Sequence, residues 1–125
     1  FITQESNAMF KTIIRRRHAA YLNQSGRCYY CSQPMWLRRP VRFARIHGLS
    51  EIQAANRRCT AEHLKARCDG GSNRQQNIAA ACHYCNQHRH RCPDPLSPER
   101  YRQYVLRECA AGQWPTKSYA ATLCS

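Results

Sequence analysis

Two Cys-x-x-Cys pairs, Cys28 with Cys31 and Cys82 with Cys85, stand with fifty residues, 32 to 81, between them. Zinc takes four tetrahedral ligands, at about 2.3 Å for sulfur, and a Cys-x-x-Cys knuckle supplies two thiolates from one tight turn. The two knuckles therefore predict one closed structural zinc site at Cys28, Cys31, Cys82 and Cys85. Such a site pins the start of the domain to the element that follows residue 81. In a chain of 125 residues, this link is expected to contribute more to folding than the apolar core does. The total of nine cysteines is odd, which also favours metal over a disulfide framework. Cys59, Cys68, Cys92, Cys109 and Cys124 lack knuckle spacing and are expected to be buried or free thiols.

The length suits a single domain. Seventeen Arg and three Lys face seven acidic residues, a formal net charge of +13. The planar guanidinium fork suits bidentate phosphate contacts, so a polyanion is the expected partner. The arginines are spread along the chain with no separate basic amphipathic segment, which favours nucleic acid over an anionic membrane. No run of about 18 apolar residues predicts a membrane span, and no signal-peptide core is visible. The expected location is the cytoplasm. Ser6, Asn7 and Ala8 before Met9 look like the remnant of an expression vector. Residues 1–8 are therefore set apart, and 9–125 are read as one domain.

Phe10, Ile13, Ile14, Tyr21 and Leu22 follow helical spacing and predict a helix over 9–22, stopped by Asn23-Gln24-Ser25-Gly26. Apolar and basic residues alternate over 41–46, which predicts a half-exposed strand with an Arg-bearing face. Ser50 and Gln53 form a capping-box pair ahead of a short helix over about 51–57. Ser97-Pro98 predicts another helix start, with Tyr101, Val105 and Leu106 on its buried side and its end at Gly112.

Between the knuckles, Thr60, Ala61 and Leu64 around Glu62-His63 read as a short strand. Asp69-Gly70-Gly71 reads as a tight turn, Asn77 to Ala81 as the returning strand, and a helix is expected from about His83. Neighbours on a regular strand point to opposite faces, so Glu62 and His63 share one site only where the strand ends or bends, and such a break is expected.

The order of Glu62-His63, Gly70-Gly71, Asn77, Cys82-x-x-Cys85 and Asn86, with the earlier knuckle, resembles the HNH nucleases over roughly residues 28–90. That family has the ββα-metal (His-Me) finger fold. The resemblance implies an α+β domain with a structural zinc and flanking helices. It makes His63 the general base, Asn77 the middle asparagine, and Glu62 with Asn86 the ligands of a catalytic Mg2+ or Mn2+, distinct from the zinc. Two positions depart from the commoner pattern, Glu62 where Asp is frequent and Asn86 at the last place; Ala66 also stands where proline is frequent.

The chemistry is coherent on its own terms. Phosphodiester hydrolysis needs an activated water and charge relief on the phosphoryl and leaving oxygens. A neutral imidazole accepts the water's proton, and a carboxylate with an amide holds a hard cation with positions left open. Asn77 is expected to fix the loop and orient the imidazole. Arg67, Arg74, Arg89 and Arg91 are expected to hold the phosphate backbone. His83, His88 and His90 are read as helix histidines without a role. The leading expectation is a DNA endonuclease acting on double-stranded DNA. The alternative is a zinc-stabilised nucleic-acid-binding module without cleavage, and a third class is a protein-interaction domain that uses zinc as a scaffold.

Overall fold

In the computed structural model, which describes residues 4–115, β1 (Cys59–His63) pairs antiparallel with β2 (Ile78–Cys82), Cys59 opposite Cys82 and His63 opposite Ile78. The chain passes from β2 straight into α4 (His83–His90), with Cys82 as N-cap. Every residue of β2 is buried, and a strand buried along its whole length must be covered on both faces. The helices that pack on the hairpin are α1 (Gln4–Asn23) and α4. The Ala79-Ala80-Ala81 run is small enough to let both approach closely.

Gln24, in the break after α1, completes the open edge of β2. Its side-chain amide donates to Ala80 O at 2.8 Å, and its Oε1 accepts from Ala80 N at 2.9 Å, a side-chain substitute for a third strand. Gly26 takes φ 73° as expected, and Met35 N returns to Gly26 O to close the first knuckle.

α1 starts five residues before Met9, so the helix takes in residues 4–8 as well. Its helical spacing does not translate into burial. Phe10 and Leu22 stay 63% and 64% exposed, while Ala20 is buried against the hairpin.

The expected strand over 41–46 is instead a helix, α2 (Pro40–His47). The alternation breaks at Phe43-Ala44, two apolar residues in a row that put Arg42 and Arg45 three apart, and the flanks add to the helical side. Pro40 has its φ preset for the first helical turn, and Gly48 takes the left-handed C-cap at φ 63°. α3 (Glu51–Asn56) has both halves of the capping box, Gln53 N to Ser50 Oγ at 3.2 Å and Ser50 N to Gln53 Oε1 at 2.9 Å. α5 (Pro98–Ala110) starts on the Ser97 cap and buries Tyr101, Tyr104 and Val105; Leu106 is only half-buried.

The core gathers the knuckle cysteines with Tyr30, Met35, Tyr101 and Val105. Tyr30 and Tyr101 meet edge to face at 4.7 Å, and Tyr101 donates to Cys85 O at 2.7 Å, tying α5 to the second knuckle. The protein is thus a small α+β domain built around a two-stranded sheet. No helix among the described residues is long and apolar enough to cross a membrane.

Candidate metal centre and acid-base site

The sulfur atoms of Cys28, Cys31, Cys82 and Cys85 all lie within 4.8 Å of one another, and all four residues are buried. A tetrahedron with zinc–sulfur bonds of about 2.3 Å has edges of about 3.8 Å, and Cys31 Sγ to Cys82 Sγ is 3.9 Å. The donor set fits zinc. Backbone amides already point at the sulfurs: Tyr30 N and Cys82 N at 3.3 and 3.2 Å from Cys28 Sγ, and Cys85 N at 3.4 Å from Cys82 Sγ. Arg57 Nη1 lies 3.7 Å from Cys31 Sγ. These donors offset the negative charge that four thiolates concentrate. Burial opposes ionisation of Cys28, but hydrogen bonds from the Cys31, Cys82 and Cys85 thiols outweigh it and hold this thiol below its ordinary range.

Of the remaining cysteines, Cys59 is buried, its thiol pushed up to about 11 by that burial. Cys68 is exposed and Cys109 half-buried, while Cys92 is buried as allowed for but disulfide-bonded, and so not a thiol. Cys124 lies outside the described residues.

Glu62 is a fully buried carboxylate, and it points to the α4 side of the hairpin. Its Oε2 accepts from Tyr30 Oη at 2.9 Å and from Arg89 Nη1 at 3.3 Å, and its Oε1 lies 2.9 Å from His90 Nε2. Burial, then the Glu62 charge, push the Tyr30 hydroxyl far up, so it stays protonated and donates. Two sequence expectations are corrected here. Arg89 is buried and also donates to Leu96 O, so it cannot face a phosphate backbone. His90 is not a helix histidine without a role, because it is the third partner of the carboxylate.

Asn86 sits on the same face of α4, but its amide nitrogen donates to Thr60 Oγ1 at 2.9 Å and Ala61 O at 3.3 Å, not to Glu62. Its Oδ1 is the atom left for a cation. The 2.9 Å between Glu62 Oε1 and His90 Nε2 is a hydrogen-bond distance, with the imidazole N–H donating to the carboxylate.

β1 ends at His63, opposite Ile78, and the chain bends at Leu64 and Lys65, so the expected break falls directly after the pair and not between its members. The two side chains leave opposite faces of β1. His63 is half-exposed, and its Nε2 lies 2.8 Å from Asn73 Oδ1. An amide oxygen only accepts, so Nε2 carries the proton and Nδ1 keeps the lone pair. Asn73, not Asn77, thus orients the imidazole.

Asn77 does fix the loop. Its Oδ1 accepts from Lys65 N at 2.8 Å, and its Nδ2 donates to Lys65 O at 3.0 Å and Ser72 O at 2.7 Å, clamping both ends of the turn. Gly71 packs beneath this clamp, where a Cβ would lie 1.8 Å from Lys65 O. Gly70, at φ 86°, supplies the left-handed turn beside it.

Arg67, Arg74 and Arg91 are exposed on the loop and past α4. His83 and His88 have lowered proton affinity, in each case mainly through burial, and His88 is stacked on Tyr84 with ring centroids 3.8 Å apart. Comparison with family models, with curated proteins and with solved structures finds no match for this chain.

Sequence reasoning missed Tyr30, Asn73 and His90. His90 alone carried a signal, its i+4 spacing from Asn86 on one helix face.

Proposed function

We propose that the protein is a metal-dependent endonuclease of the HNH type, a ββα-metal finger that hydrolyses DNA phosphodiester bonds. The observation that carries this reading is the pairing of neighbours at the end of β1. There an imidazole with one fixed tautomer stands next in the chain to a buried carboxylate that faces α4. Consecutive Cα atoms are about 3.8 Å apart, so a phosphate lying across the strand end is within reach from both faces.

His63 is the general base, and its Nδ1 takes the proton of the attacking water while Asn73 holds Nε2–H. Glu62, His90 and the Asn86 amide oxygen are the groups that would hold Mg2+ or Mn2+. When bound, that ion supplies charge relief at the phosphoryl and leaving oxygens. Asn77 and Gly71 keep the loop from shifting His63 relative to β1. Arg67, Arg74 and Arg91 contact the backbone of the duplex. The expected ends are 5′ phosphate and 3′ hydroxyl.

The test is incubation of supercoiled plasmid with the protein, with and without Mg2+ or Mn2+. Metal-dependent relaxation that His63→Ala abolishes supports the reading.

One observation favours the alternative of a zinc-stabilised nucleic-acid-binding module. Both oxygens of Glu62 already have protein partners, a satisfied state that a purely structural carboxylate would also show. Plasmid binding without cleavage at any metal or pH would establish that alternative.

A further inference from the structure

Apart from the hairpin site, unpaired positive charge is concentrated on and just before α2, beside α1. Arg38, Arg39, Arg42 and Arg45 fall within eight residues, all exposed. The ion pairs among the described residues all involve Glu62, so none of these four guanidinium groups has a carboxylate partner. Three of them, Arg38, Arg39 and Arg42, rim a cleft of about 440 Å³ whose wall includes His18 of α1 and whose lining includes Trp36 and Phe43. No acidic residue lines it. The N-terminus of α2 opens beside Arg39 with no side-chain cap and no acidic residue in its first turn, which adds its positive end to the same field.

A cleft with cationic rim and aromatic lining matches how unpaired nucleotides are held: guanidinium groups on the phosphates and rings against the base faces. A duplex keeps its bases stacked inside and offers nothing to an aromatic lining. We infer that the α1–α2 cleft binds a single-stranded segment of nucleic acid, with Arg38, Arg39 and Arg42 on the backbone and Phe43 stacked against a base.

The cleft lies at the far end of the hairpin from His63. Trp36 bridges to Arg58, next to the first residue of β1, whereas His63 is its last. Five residue rises separate Arg58 from His63, about 16 Å. A strand leaving the hairpin site can therefore continue into the cleft. The inference rests on nucleic acid as the partner and not on cleavage. α2 itself has no buried residue, so substitutions on it leave the core intact.

The experiment is fluorescence anisotropy with a labelled oligothymidylate, a labelled duplex of equal length, and phosphatidylserine–phosphatidylcholine vesicles, each across a salt series. Circular dichroism serves as a fold control. The combined Arg38→Ala, Arg39→Ala and Arg42→Ala variant is expected to bind oligothymidylate at least tenfold more weakly. Its slope of log affinity against log salt should be shallower by about 2, from three lost contacts at about 0.7 each. Phe43→Ala is expected to weaken oligothymidylate about tenfold with the salt slope unchanged and duplex binding unaffected.

The inference is overturned if the triple variant keeps wild-type affinity, or if Phe43→Ala leaves oligothymidylate binding intact or weakens duplex equally. Binding of vesicles but not of oligothymidylate through these arginines overturns it too. If the wild type binds oligothymidylate in the cleft and never cuts plasmid, the nuclease reading fails and this one stands. Cleavage that depends on His63 beside groove variants that bind normally is the reverse case.

Discussion

Glu62 Oε1 and His90 Nε2 lie 2.9 Å apart, joining the buried end of β1 to the last residue of α4. The imidazole side of this contact is 42% exposed and the carboxylate 2%, so a cation arriving from solvent meets His90 first. If the divalent ion sits between them, replacing His90 or Asn86 by Ala, or Glu62 by Ala, should raise the metal concentration needed for cleavage, and excess Mn2+ should restore part of the rate. His63→Ala should instead lower cleavage by about 10² to 10⁴, with no rescue by metal and DNA binding retained. Plasmid nicking titrated with Mn2+ distinguishes the two; rescue of His63→Ala, or wild-type metal dependence of His90→Ala, would count against these roles.

The base assignment also predicts a role for Asn73. Asn73→Ala frees the imidazole to adopt the other tautomer, so cleavage should fall while the metal requirement stays unchanged. Asn73→Asp, which keeps an acceptor oxygen opposite Nε2, should retain more of the rate. Equal loss in both variants would remove Asn73 from the orienting role.

Four sulfurs within 4.8 Å should hold one zinc per chain, measurable by elemental analysis of purified protein. A zinc there would join knuckles whose nearest members, Cys31 and Cys82, are 51 residues apart, so strong chelation should abolish the cooperative melt and the native circular dichroism, not merely silence activity. Acid should release the metal as protons compete for the thiolates. A chelated protein that melts as before would show that the cluster holds no structural ion.

The loop offers a test independent of both metals. A Cβ on Gly71 would lie 1.8 Å from Lys65 O, and Asn77→Ala removes three hydrogen bonds of 2.7 to 3.0 Å. Asn77→Ala should cost about 1 to 3 kcal/mol of stability. Both Gly71→Ala and Asn77→Ala should depress cleavage with zinc content unchanged. Thermal melts and zinc assays of the two variants check this.

Arg89→Ala should be the most destabilising of the surface-to-core changes at the site, because it leaves the fully buried Glu62 without its guanidinium. Removing one partner of a buried pair costs about 3 to 5 kcal/mol. Replacing both partners together with apolar residues should cost less than Arg89→Ala alone, which denaturant titration of the single and double variants would reveal.

Much of this organisation was legible in the residues because it depends on local spacing. Knuckle pairs, the Ser50 and Ser97 caps and the Gly-Gly turn each fix geometry within a few residues, and the structure places all of them where spacing predicted. The stretch 41–46 failed because its alternation already breaks at Phe43-Ala44, and Pro40 and Gly48 at its flanks set the start and stop of a helix. What the sequence by itself determined is therefore the four-cysteine cluster, the hairpin and the helix boundaries set by caps. The partners of Glu62 were decided by tertiary structure alone. They come from 27 to 32 residues away along the chain, brought together by α4 folding back over β1 and by the first knuckle closing beneath it. Burial then turned Arg89 from an expected phosphate contact into the counter-ion of a carboxylate, because an unpaired charge inside the core costs more than any surface contact returns.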